Sequence, residues 1–240
     1  MNYTTNTIFD KSTPVVTNII IINVLMLLAS QAFNLSSFAL FYPASPHFQP
    51  YQFITHMFMH AGFWHLLFNM YALWMFGKIL EKVWGSQRFF IYYFVTGLGA
   101  AALYTVVNYF QLSSIESHIN PDTLQQMKSM FKENLVFKQP DFYMQSWYEI
   151  MSIPVVGASG AVFGVLLGFG MLFPNTVLRL LFPPVALKAK YFVMIYGAIE
   201  LYLAINNPVG GGIAHTAHLG GMIFGFILIK IWRNKRNVFY

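Results

Sequence analysis

A bundle of six membrane-spanning α-helices with both termini cytoplasmic is the architecture this sequence predicts, on three observations. The 240-residue chain is 57% hydrophobic and only 9% charged, where a soluble domain carries about 25% charged residues. Its apolar residues gather into six stretches, most of them close to the roughly 20 residues that cross a bilayer. The basic residues then sort by alternate loops: Lys11; Lys78, Lys82 and Arg88; Arg179, Lys188 and Lys190; and Lys230, Arg233, Lys235 and Arg236 make eleven of fourteen on one side. Positive charge marks the cytoplasmic side. An even number of spans puts both ends there.

The first span is Val15 to Phe33, with Asn18 and Asn23 as its polar intruders before Gln31. The segment before it, Met1 to Pro14, holds one Lys and one Asp and lacks the short positive region of a cleavable signal peptide. From Asn34 to Gly62 the chain is uncharged, rich in aromatics and broken by Pro43, Pro46 and Pro50, so it reads as an interfacial loop and not a straight helix. The second span runs from about Phe63 to Glu81 and the third from Phe89 to Phe110, where Gly97, Gly99 and three alanines allow close packing. Residues 111–152 hold five of the eight acidic residues. They read as a polar insertion on the outer side, within which Phe131, Leu135, Val136 and Phe137 among lysines allow a surface amphipathic helix. The fourth span is Pro154 to Phe173, followed by a basic connector through Arg179, Pro183, Pro184, Lys188 and Lys190. The fifth, Tyr191 to Ile205, carries Glu200. The loop Asn206 to Gly212 returns the chain to the sixth, Ile213 to Trp232. No repeat or linker divides residues 1–240, so one membrane domain is expected.

Several function classes drop out at once. Without cysteine there is no zinc–thiolate site, thiol nucleophile or disulfide. The net charge of +6 is a loop signal and not a nucleic-acid surface. A transporter is disfavoured by the lack of inverted repeats and by a single acid at membrane depth.

In the expected topology, spans two, four and six all run inward, so their first turns share a depth near the outer surface. His65, Ser159 and His218 each lie there. Ionisable residues within a membrane are costly and face the bundle interior or a wet cavity, so two of them in one layer with a serine point to chemistry. A serine hydroxyl becomes nucleophilic when a base takes its proton, and histidine is the usual base. His65 and Asn69, at i and i+4, share a helix face and with the Ser159 amide offer donors for an oxyanion. Small residues at spacing four (Gly160, Gly164 and Gly168; Ala217, Gly221 and Gly225) would let the serine and histidine helices approach if the two stripes face each other. No acid neighbours His218 in sequence, so the expectation is a dyad. Glu200 has two readings, a proton-carrying functional group or, the one expected, a buried acid satisfied by a neighbouring hydroxyl or left protonated.

These residues resemble the rhomboid intramembrane serine proteases. Gly157-x-Ser159-Gly160 is similar to the family's GxSG, Ala217-His218-x-x-Gly221-x-x-x-Gly225 to its AHxxGxxxG, and His60, His65 and Asn69 to its second-helix HxxxN region. Leu80-Glu81-Lys82-x-x-Gly85 resembles the end of that helix. The resemblance implies a rhomboid-type bundle in which Ser159 is the nucleophile, His218 the general base and acid, and His65, Asn69 and the Ser159 amide the oxyanion hole. It implies cleavage of transmembrane substrates near their outer ends, in a cell membrane, with no metal or soluble cofactor and with water reaching the dyad through a polar cavity opening outward. The family's motif aligns on His218, which leaves His215, like His56 and His60, as a cavity residue.

Two departures stand out. The family's Trp-Arg pair in the first outer loop is Tyr51-Gln52 here, which puts that loop's anchoring in question. The Tyr many members carry one turn after the serine is Phe163, able to stack on imidazole but not to donate a hydrogen bond. Two rival readings remain: a metal-dependent membrane enzyme using His56, His60, His65, His215 and His218, and a non-proteolytic relative that binds or escorts membrane proteins.

Overall fold

Backbone polar groups in hydrocarbon must bond within their own segment, so apolar stretches of this chain become helices. The computed structural model describes residues 12–133, 135, 140–179, 185–206 and 213–234. In chain order they form α1 (Pro14–Ala32), α2 (Gln52–Thr55), α3 (Phe63–Ala72), α4 (Lys78–Trp84), α5 (Ser86–Glu116), α6 (Pro121–Lys132), α7 (Phe142–Ser152), α8 (Ser159–Leu172), a hairpin of β1 (Val177–Arg179) and β2 (Ala186–Lys188), α9 (Ala189–Asn206) and α10 (Ile213–Asn234). The expected readings at Lys11, Val136, Phe137, Pro183, Pro184, residues 207–212, Lys235 and Arg236 fall outside the described residues.

Among the described residues, three helices are long and apolar enough to cross a membrane: Pro14–Ala32, Ser86–Glu116 and His215–Arg233. Their outward side chains are apolar, as Leu25, Leu28, Phe110 and Ile227 are exposed, which is the surface a protein presents to lipid and not to water. The serine helix is apolar but only 14 residues long, about 21 Å at 1.5 Å per residue. It is shorter than its apolar stretch because residues 154–158 approach it as irregular chain. The second expected span is divided, α3 passing through a wide π turn (Leu73–Gly77) into α4.

Three helices make the centre. The α5, α8 and α10 backbones meet, with Tyr92, Tyr93 and Phe89 of α5 fully buried beside Val165 and Phe169 of α8. The glycine stripes differ from the expected face-to-face arrangement. A Cβ on Gly221 of α10 would land on the carbonyl of Gly160, but Gly160 and Gly164 themselves present their bare side to Ala100 and Thr96 of α5, and Gly225 faces Tyr92. One stripe is thus shared among three helices. Tyr92 secures it by donating its hydroxyl proton to the Gly164 carbonyl at 2.7 Å.

Glu81 has a structural role that spacing alone does not explain. Its carboxylate, buried at the end of α4, accepts the N–H groups of Val15 at 2.9 Å and Val16 at 2.8 Å, together with the Ser86 hydroxyl at 2.7 Å. The first turn of any helix leaves such donors unmet, and here a distant acid meets two of them while favouring the positive end of the helix dipole. Gly85, at φ +78°, then ends α4 in a conformation that side chains resist. Glu81→Ala is expected to lower stability by about 2–4 kcal/mol, the cost of two charge-assisted bonds left unmade in a buried site. Thermal unfolding in mild detergent checks this, with Glu81→Gln falling between the two.

The described residues of 111–152 are largely helical, where a polar insertion is expected. α5 runs six residues past its expected end because Leu112 and Ile115 lie on one buried face, and they pack with Met127, Phe131, Met144 and Trp147 of α6 and α7 into a second core. Trp147 donates its indole N–H to Glu116 at 3.0 Å, and Lys128 pairs with the same carboxylate at 2.9 Å. The basic connector after α8 is likewise a short antiparallel hairpin, pairing Val177 with Lys188 and Arg179 with Ala186, the described exception to an all-helical chain.

Candidate active site

Ser159 is the first residue of α8, so its N–H has no carbonyl one turn back to bond. The chain reaches it from Gly157, whose φ of +124° suits glycine. Two contacts hold this approach. The Gly157 N–H donates to the His56 carbonyl at 2.9 Å, and Val155 pairs with Leu40 through two backbone bonds of 2.8 and 2.9 Å. The loop carrying Leu40 is anchored in turn by Gln52, fully buried, whose amide donates to the carbonyls of Ser37 (3.0 Å) and His47 (2.9 Å) while its oxygen accepts from the Phe41 N–H (3.2 Å). Gln52 therefore anchors the loop.

His218, in the second turn of α10, sets Nε2 2.8 Å from Ser159 Oγ. Its ring lies flat on Phe163, with centroids 4.1 Å apart and planes 10° from parallel. The other ring nitrogen, Nδ1, is 2.9 Å from Oε2 of Glu200 on α9, and His215 Nδ1 is 2.6 Å from the same oxygen. Glu200 is thus satisfied by two imidazoles and not by a hydroxyl, and an acid absent from the local sequence stands beside His218 in space. An ionised carboxylate only accepts. Both Nδ1 atoms therefore carry protons, and His218 turns the lone pair of Nε2 toward the serine hydroxyl, which donates to it.

His65 of α3 lies on the other side of the serine loop. A Cβ on Gly157 would touch its ring at 2.8 Å from Cε1 and 2.9 Å from Nε2. The Ala61 N–H donates to His65 Nδ1 at 3.3 Å, which leaves the proton on Nε2, the nitrogen against the loop. Asn69, buried, returns one amide N–H to the His65 carbonyl at 2.8 Å. His60 packs edge-on against His65, with centroids 5.0 Å apart. Burial, and secondly the neighbouring imidazole of His65, which disfavours a second positive charge beside it, push its pKa down to about 4. Burial pushes His56 to about 4 as well, against the bond its Nδ1–H makes to the Gln52 carbonyl at 2.8 Å. Both rings are therefore neutral supports at physiological pH.

A small closed cavity of about 10 Å³ borders Ser159, between His56, Gly157, Gly97 and Ala217. A larger one, about 510 Å³, lies elsewhere, between α5 and the two helices of the insertion, lined by Tyr42, Glu116, Lys128 and Trp147. Of the side chains described above, Ser159 and His56 border the small one. Among the described residues, Glu200, His215 and His218 are the group whose ligand atoms, within 4.8 Å of one another, could hold a cation.

The family model for the Rhomboid domain matches residues 47–235. "Rhomboid protein 1, mitochondrial" of Saccharomyces cerevisiae is 28% identical over 175 residues, covering 71% of this chain and 38% of that protein. "Rhomboid protease AarA" of Providencia stuartii is 23% identical over 173 residues, covering 72% of this chain and 52% of that protein. "Putative rhomboid protease YdcA" of Bacillus subtilis is 25% identical over 184 residues, with 77% and 68% covered. The chain spans about half or less of the length of the first two. The matched region takes in α2 through α10, the Ser159–His218 contact included, and on that extent this apolar-helix protein belongs to the rhomboid family of integral membrane proteins.

Proposed function

We propose that the chain is an intramembrane serine endopeptidase that cleaves transmembrane-segment substrates near the outer membrane face. The observation that carries the reading is the 2.8 Å contact between Ser159 Oγ and His218 Nε2, made between two apolar helices. The names of the relatives support the reaction class. In this reading the six expected spans form one membrane domain, both termini are cytoplasmic, and the 111–152 insertion faces outward above the site.

As Oγ attacks the scissile carbonyl carbon, its proton passes to His218 Nε2 and the carbonyl π pair moves to oxygen. The N–H of Ser159 and Nε2–H of His65 serve as donors to that oxyanion, with the remaining N–H of Asn69 behind them. Collapse of the tetrahedral species breaks the C–N bond, and His218 returns the proton to the leaving amine. Water then attacks the acyl ester, giving a proton to His218, and as the C–Oγ bond breaks His218 passes that proton to Oγ, releasing the carboxylic acid and restoring Ser159. Neither a cofactor nor a metal enters this sequence.

The cluster of Glu200, His215 and His218 keeps a second reading in view, a divalent-metal hydrolase. One experiment separates them. The purified protein is placed in bilayers with a fluorescent single-span substrate, and cleavage is followed with a chelator or with a fluorophosphonate. Cleavage that resists the chelator, and stops as the phosphonate labels Ser159, supports the serine mechanism. Cleavage that stops with the chelator and ignores the phosphonate would move the assignment to metal.

A further inference from the structure

Glu200 sits at the junction of α9 and α10 with one oxygen, Oε2, receiving the Nδ1–H groups of His218 at 2.9 Å and His215 at 2.6 Å. We propose that Glu200 is a positioning residue for the reaction, the third member of a Ser159–His218–Glu200 chain, and that His215 holds the carboxylate in place. The proposal rests on the serine-protease reading above and adds to it a residue from a third helix.

The argument begins with the imidazole. Neutral His218 has two tautomers, and only the one protonated on Nδ1 offers a lone pair to Ser159. Phe163 fixes the plane of the ring by stacking at 4.1 Å, but stacking does not choose which nitrogen carries the proton or how the ring turns within that plane. A carboxylate 2.9 Å from Nδ1 does both. When His218 accepts the serine proton, the imidazolium forms beside an anion already in place, with the His218 and Glu200 side chains only 15% and 10% exposed. That ion pair is therefore little screened by solvent, and it acts mainly once positive charge has developed, so its effect falls on the chemical step.

His215 explains how the acid is held. Residues 215 and 218 lie three apart on α10 and so share a face, and that face packs on α9 where Glu200 emerges. With two donors on one oxygen, the carboxylate is held on both sides at the depth of Ser159. His215 is accordingly bonded to the acid, while His218 contacts the serine, which sorts two histidines that spacing alone leaves as rivals for the base.

The test measures kcat and KM in bilayers for the wild type, Glu200→Gln, His215→Gln and Ser159→Ala, together with the rate at which a fluorophosphonate labels Ser159. Glu200→Gln keeps the side chain's size and places an amide where the carboxylate was. The expected result is a fall in kcat of about 10- to 100-fold, smaller than the loss from a deeply buried triad acid, with KM within about twofold and the unfolding midpoint unchanged. Labelling should slow by a similar factor, and in a His218→Ala background the Glu200→Gln change should slow it no further, because an effect transmitted through His218 vanishes with His218. A kcat within twofold of wild type, or an equal loss with and without His218, overturns the assignment. If Glu200→Gln does not accumulate, Glu200→Asp keeps the charge but draws it back by one methylene, and wild-type kcat in that variant also counts against the proposal. Full activity in Ser159→Ala would instead remove the underlying reaction, so the two failures are distinct.

Discussion

Ser159→Ala and His218→Ala are each expected to lower kcat/KM for a membrane-embedded substrate by about 10⁵- to 10⁶-fold, and the double variant by no more than either alone, because members of one nucleophile–base unit are not additive. The expectation follows from the contact. With Oγ at 2.8 Å from Nε2, attack and proton transfer are one event, and each variant removes one half of it. Folding should be unaffected by Ser159→Ala, since the serine packs at the lip of α8 and only an oxygen is lost. His215→Ala should cost less than about tenfold, as its Nδ1 bonds Glu200 and not the serine. The measurement is product formation in proteoliposomes by gel and mass spectrometry. Retained cleavage in Ser159→Ala, or a larger loss from His215→Ala than from His218→Ala, would reverse these roles.

How much of this was legible beforehand depends on whether the signal is local. The Ser159 loop, His65 and Asn69 at one turn's spacing, and the small-residue periods of α8 and α10 are all within a few residues of each other, and a helix converts such spacing directly into position. Glu200 is different. It meets His215 and His218 across the loop between two helices, so its partner depends on how α9 and α10 rotate against each other, which periodicity does not set. The usable signal was the coincidence of a single membrane-depth acid with two histidines on one face at the start of the next helix. In residues 111–152 the high polarity obscured two helices whose caps were readable. Asn120 precedes Pro121 and accepts the Asp122 N–H at 2.9 Å, and Asp141 accepts the Met144 N–H at 2.8 Å, both ordinary helix-start chemistry. Gln52 shows the opposite limit: a family position filled by another residue type still anchors the outer loop, because an amide can bond three backbone groups at once.

Gly221→Ala is the smallest change that should disable the site from outside it. A Cβ there would fall on the carbonyl of Gly160, backbone that cannot swing aside, so α10 must move away from α8 or rotate. Gly160 follows Ser159 directly, and Gly221 lies one turn beyond His218, so any separation opens the hydroxyl–imidazole contact itself. A displacement of about 1 Å costs on the order of 10²-fold in a positioned reaction, and overpacking adds about 1–3 kcal/mol of destabilisation. The expected result is a fall in kcat of at least about 100-fold together with a lower unfolding midpoint. Gly197→Ala on α9 is the control for adding a methyl group to a helix of the same bundle. Its Cβ would meet only the end of the flexible Met222 side chain, at 3.1 Å, and alanine favours the helix by about 1 kcal/mol over glycine. That variant should keep both activity and stability. Activity near wild type in Gly221→Ala would mean that the two backbones are not in contact, and with that the short bridge from serine to histidine would lose its structural basis.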